Sequence, residues 1–130
     1  MFFQLLPNTL FRWIVGIQGN RNFNDYSVFL RGIGVALRTL NENAEDREFI
    51  VYSSGPKNIN EFTLEFMNVN ERSFKAYGIK TKFIKVPPKW LVEHVSMLDY
   101  VLYFGVPRED LPEIVKIAEG KDIEVGVYRY

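Results

Sequence analysis

The chain has 130 residues, no cysteine, and sixteen basic against sixteen acidic side chains. That length suits one domain with a full core. The missing thiols exclude disulfides, thiolate metal sites and thiol catalysis, and the charge balance removes the global field that a dedicated nucleic-acid or acidic-membrane binder uses.

Aromatic residues reach 15%, with 11 Phe and 7 Tyr. This predicts either extra core packing or aromatic surface at a ligand pocket or partner interface. Met1–Phe11 is apolar but unpatterned, and reads as an arm or extra edge strand ahead of a domain spanning 12–130. It lacks a basic flank and meets Pro7 early, which argues against a signal peptide. No run of the sequence is long enough to span a bilayer. A cytoplasmic location is therefore expected.

Arg12–Gln18 carries the apolar run Trp13, Ile14, Val15 and Ile17 and reads as a strand. It stops at Gly19, and the polar turn Asn20-Arg21-Asn22 follows. Asp25–Asn41 predicts a helix, with Tyr26, Phe29, Leu30, Ile33, Leu37 and Leu40 at helical spacing and Asn24 or Asp25 as its cap. Gly32 and Gly34 weaken it by about 1 kcal/mol each relative to Ala, so close packing on a sheet is the expected reason for them. After the polar loop Asn41–Arg47, Glu48–Ser53 is close to continuously apolar, as a buried parallel strand should be.

Ser54–Asn58 reads as a turn. Ile59–Tyr77 predicts one helix with Phe62, Phe66, Val69 and Phe74 on one face and Gly78 as its stop. Ile79–Val86 is a third strand, and its lysines (Lys80, Lys82, Lys85) suit an edge. Pro87-Pro88 breaks the chain before a short helix at Lys89–Met97. Asp99–Phe104 is a fourth, buried strand, and Glu109–Glu119 a helix that tolerates Pro112 in its first turn and ends at Gly120. Ile123–Tyr128 is the last strand. Strands alternating with helices over short connections predict an α/β single domain, a three-layer, doubly wound, mostly parallel five-stranded sheet of Rossmann-like type.

A first strand feeding a glycine turn and a helix is how such folds build sites for anionic, nucleotide-like ligands. Ligands bind beyond the carboxyl ends of the strands, where the loops Gly19–Asn24, Ser54–Asn60 and Gly105–Arg108 emerge. Arg21 and Lys57 are the cations there and would hold phosphate. Asn20, Asn22, Asn58 and Asn60 would hydrogen-bond ribose or base, with Ser53 and Ser54 beside them. Gly19, Gly55 and Gly105 would let backbone approach, and Phe23 would stack on a base. The same residue types also serve as plain turn formers.

Catalytic patterns are thin. His94 stands alone, no histidine–carboxylate metal pattern occurs, and neither G-x-x-x-x-G-K-[ST] nor G-x-G-x-x-G is present. The acidic pairs Glu45/Asp46 and Glu109/Asp110 read as solvated caps. No catalytic residue, metal or cofactor is assigned.

The run Gly19-Asn20-Arg21-Asn22-Phe23-Asn24-Asp25-Tyr26 resembles the G-S-R-x-F-x-D-Y opening of the SLOG superfamily, which includes YspA-like, LOG and DprA-like Rossmannoid domains. Element order is similar over most of the chain, and the motif match is specific around residues 19–26. Ser54–Asn60 stands where the family has a G-G-x-x-G-x-D-type loop, but Pro56 and Asn58 replace family glycines and Asn60 replaces the acid. The P-G-G-x-G-T motif and Glu of the nucleoside-monophosphate-cleaving members are not visible. The resemblance implies the fold and a nucleotide-type ligand site, and these departures speak against hydrolysis. SLOG domains also sense nucleotide-derived signals in bacterial and phage conflict systems, and an Asn-, Lys- and Phe-rich composition fits a phage or low-GC bacterial source. Two alternatives remain. One is a structural subunit using the apolar arm and edge strand as a homo-oligomer or partner interface. The other is a phosphoribohydrolase-like enzyme with relocated acids.

Overall fold

The computed structural model describes residues 11–40 and 47–130. The expected arm over residues 1–10, the loop 41–46 and the Glu45/Asp46 pair lie outside them. The described residues form five strands and five α-helices in the order β1 (Phe11–Gly19), α1 (Tyr26–Leu40), β2 (Arg47–Ser53), α2 (Lys57–Val69), α3 (Glu71–Ala76), β3 (Ile79–Lys85), α4 (Pro88–Glu93), β4 (Tyr100–Gly105), α5 (Glu113–Gly120) and β5 (Glu124–Arg129). The strands form one parallel sheet in the order β3-β2-β1-β4-β5. Helices cover both faces, so the architecture is the expected Rossmann-like α/β fold. Among the described residues no helix is long and apolar enough to cross a membrane.

The period-2 pattern of the strands sorts the core into two layers. Trp13, Val15 and Ile17 of β1, with Phe49, Val51, Leu102 and Phe104, pack against α1, α2 and α3. On the other face Val101 and Tyr103 pack against Leu91 of α4 and Ile114, Val115 and Ala118 of α5. All six residues of β4 are buried, as a strand inside a parallel sheet requires. The aromatic surplus goes mainly into the first layer. Phe29 packs tilted against Phe104 with ring centroids 4.9 Å apart, Phe23 against Phe104 at 5.2 Å, and Phe62 against Phe29 at 5.6 Å.

The side chain of Asp25 caps α1, its Oδ1 accepting the Val28 N–H (3.1 Å) and the Ser27 hydroxyl (2.6 Å). A Cβ on Gly32 would sit 2.8 Å from the Phe104 ring, so this glycine lets α1 close on the sheet. Gly34 faces nothing within 4 Å, and the packing explanation fails there.

The helix expected over Ile59–Tyr77 is two helices. Asn70 stands between them with φ −100° and ψ 11°, and its Nδ2 shares the Phe66 carbonyl (2.8 Å) with its own backbone N–H (3.1 Å). Val69, the last residue of α2, is 72% exposed and does not share the buried face to which its spacing assigned it. The short helix expected over Lys89–Met97 also divides, with His94 as C-cap of α4 and a 3-10 turn at Val95–Met97. Helix α5 starts four residues later than expected, because Pro112 takes its N-cap in extended conformation (φ −70°, ψ 157°). Residues 109–111 are thereby left to the preceding loop.

Candidate functional site

The strand order reverses between β1 and β4, and the loops after β1, β2 and β4 meet beyond that point. Backbone bonds tie them together. Gly19 N–H donates to the Gly55 carbonyl (2.9 Å), Asn20 N–H to Phe104 (2.8 Å), and Ser54 N–H to Ile17 (2.9 Å). Gly55 holds φ +84°, a left-handed conformation that selects glycine.

Most of the residues expected to touch a ligand are instead committed to this scaffold. Phe23 is fully buried against Phe104, so its ring has no free face for a base. Asn58 Nδ2 donates to the Phe23 carbonyl. The Ser53 hydroxyl donates to Asn60 Oδ1 (2.5 Å) and receives the Gly55 N–H (3.2 Å). Gln18 Nε2 reaches the Ser54 hydroxyl (3.1 Å). The space beside Gly19 is filled by Phe104 and Ile59, with a Cβ there 2.9 Å from the Phe104 carbonyl oxygen. The space beside Gly105 is filled by Glu109. These two glycines admit protein atoms where ligand approach was expected.

Arg21, Asn22, Asn24 and Lys57 remain exposed. With Pro56, Asn58 and Glu61 they line an open cleft of about 560 Å³ between the β1 loop and the N-terminus of α2. A second cleft of about 520 Å³ continues past Pro56 and Lys57 to Ser54, Asn60 and Lys85. Lys57 Nζ lies 4.0 Å from Glu61 in a largely exposed pair, which leaves its charge open to other partners. Arg21 has no ion pair among the described residues. Two cations beside the N-terminus of a thirteen-residue helix favour an anion in the first cleft.

Glu109, read from sequence as a solvated cap, is half-buried and accepts three hydrogen bonds. Its Oε2 receives Asn20 Nδ2 and the Tyr103 hydroxyl, both at 3.0 Å, and its Oε1 receives the Val106 N–H at 2.9 Å. Burial pushes its pKa up, but the bonds from Asn20, Val106 and Tyr103, with the charge of Arg129, outweigh this and hold the carboxyl below its ordinary value. Burial, together with the bond to Glu109, raises the Tyr103 hydroxyl far above its ordinary value, so it stays protonated and donates. Arg129 lies at the end of β5, with its Nε buried and without a hydrogen-bond partner. The one sequence signal for this cluster is a glycine closing a buried strand with a Glu four residues on, which looks the same as an ordinary acid at a helix start.

His94 bonds the Trp90 carbonyl through Nδ1 (2.7 Å) and stacks on the Trp90 ring at 3.9 Å. Among the described residues no group of three or more acidic or histidine side chains is placed to hold a metal ion. No family model, curated protein or solved structure matches the chain.

Proposed function

We propose that the chain is a non-catalytic, SLOG-type module that binds a nucleotide or nucleotide-derived anion between the β1 loop and the N-terminus of α2. It would do so in the cytoplasm of a bacterial or phage-infected cell. One observation carries the reading: Arg21 and Lys57, both exposed, line one cleft at a helix N-terminus beyond the carboxyl ends of the neighbouring strands β1 and β2. Arg21 and Lys57 take the phosphate, and Asn22 and Asn24 are the side chains free to meet sugar or base. Glu109, in the loop after β4, accepts three hydrogen bonds within the protein, which suits structure better than proton transfer.

Calorimetric titration with AMP, ADP, ATP, GMP and cyclic mono- and dinucleotides tests this. At least one is expected to bind, and Arg21→Ala to weaken it by ~10–100-fold, the worth of a charge-assisted hydrogen bond. A wild type inert to the whole panel, with Arg21→Ala equally inert, would sink the reading. Incubation with nucleoside monophosphates is expected to release no free base.

A second reading rests on a different feature. Trp13, Leu37, Phe66, Phe74, Tyr77 and Ile79 line an apolar groove of about 420 Å³, with Tyr77 74% exposed. In an interaction subunit this groove would be covered by another protein. Light scattering at micromolar concentration separates the self-association form of this reading from the first, which requires no second copy.

A further inference from the structure

We propose that Glu109 is the positioning residue of the anion cleft, acting through Asn20 to hold the turn that presents Arg21. This rests on the reading of that cleft as the ligand site, and adds to it a residue outside the cleft. The geometry is a relay. Asn20 Nδ2 donates to Glu109 Oε2 (3.0 Å), and Asn20 Oδ1 accepts the Asn22 N–H (2.8 Å). These two bonds require opposite ends of one amide, so Glu109 fixes which way the Asn20 side chain faces. The Asn20 carbonyl also accepts the Phe23 N–H (2.9 Å), and Arg21 lies between these anchored residues. Glu109 is itself held from three sides, by the Val106 N–H, by the Tyr103 hydroxyl and by the space that Gly105 leaves open. The loop after β4 thus sets the conformation of the loop after β1, across the switch point.

Truncation breaks the relay. In Glu109→Ala both side-chain oxygens are gone, so Asn20 Nδ2 loses its acceptor and nothing fixes the Asn20 amide toward the Asn22 N–H. Glu109→Gln does not serve, because its amide can face Val106 while its oxygen keeps the bond from Asn20.

The test follows amide hydrogen exchange at Asn22 by NMR, beside titration with AMP, in wild type, Glu109→Ala and Arg21→Ala. Glu109→Ala is expected to speed Asn22 exchange by ~tenfold or more, corresponding to one lost charge-assisted bond, and to weaken AMP binding similarly. The amide shifts of Val15 and Val51, in the centre of the sheet, should stay at their wild-type positions, so the sheet is folded. A merely structural role would lower stability and leave the AMP affinity of the folded protein at the wild-type value. Arg21→Ala is expected to weaken AMP with Asn22 exchange unchanged. Unchanged Asn22 exchange in Glu109→Ala, or wild-type AMP affinity in that variant, overturns the positioning role. A wild type that ignores AMP while Glu109→Ala still frees Asn22 overturns the ligand assignment and leaves the relay standing.

Discussion

Replacing Gly105 with Ala puts a methyl group where Glu109 now lies. The new Cβ would be 1.8 Å from Glu109 Oε1 and 2.6 Å from Tyr103 Cε2. The buried Tyr103 ring must shift slightly, and the carboxylate, at the shorter distance, must leave. Three hydrogen bonds go with it, and the Tyr103 hydroxyl loses its acceptor. A bond to a charged group is worth about 1.5–3 kcal/mol net. The three share one half-exposed carboxylate, so the loss is closer to two bonds at the low end than to the full sum. Ala returns up to about 1 kcal/mol by restricting the unfolded chain. The net cost is ~2–3 kcal/mol, or a fall of roughly 6–12 °C in Tm for a domain of this size. Urea and thermal denaturation followed by circular dichroism measure it. The double variant Gly105→Ala/Glu109→Ala is expected to lose less than the sum of the two single variants, since the clash with Glu109 has gone and only the contact with Tyr103 remains. A Gly105→Ala protein as stable as wild type, or strictly additive losses in the double variant, would refute the placement of Glu109.

Two glycines of α1 should respond with opposite signs. Gly32→Ala drives a methyl into the Phe104 ring and is expected to cost ~1–3 kcal/mol, whereas Gly34→Ala, in open space, should gain ~0.5–1 kcal/mol, both read by denaturation. Phe23→Ala empties a fully buried site and should cost ~3–5 kcal/mol, so a stable Phe23→Ala protein with weakened nucleotide binding would restore the stacking role. Acid stability reports on Glu109. Its folded pKa lies below the ordinary 4.5, so its contribution is present above pH 4.5 and is lost as pH falls through the folded value. Glu109→Gln should therefore flatten stability against pH below 4.5, while an unaltered acid limb would mean that the carboxylate makes no such bonds.

The sheet was legible because its signals are local. The apolar runs at Trp13–Ile17, Phe49–Val51 and Tyr100–Phe104 and the stops at Gly19 and Gly78 each report a strand or a boundary without reference to the rest of the chain. The helix break at Asn70 was missed because an asparagine mid-pattern is tolerated in a helix, and its departure from helical backbone (φ −100°, ψ 11°) leaves no mark in the apolar spacing. The late start of α5 has a similar origin, since Pro112 suits the first turn as well as the cap. The site was less legible than the fold. Asn20, Asn58 and Asn60 have the composition of a ligand rim, but their partners are Glu109, the Phe23 carbonyl and Ser53, which only the assembled loops bring near. Glu109 lies 89 residues from Asn20 in sequence, and no periodicity connects them.

The most direct test of the anion cleft is a residue-resolved one. Backbone amide shifts recorded during titration of the wild-type chain with AMP should move at Asn20–Asn24 and at Lys57–Asn60, on the two sides of the cleft, and stay still around Phe74–Ile79 at the apolar groove. Shifts confined to the groove, or none at saturating AMP and across the wider nucleotide panel, would contradict the assignment of a nucleotide-type ligand to the cleft beneath Arg21 and Lys57.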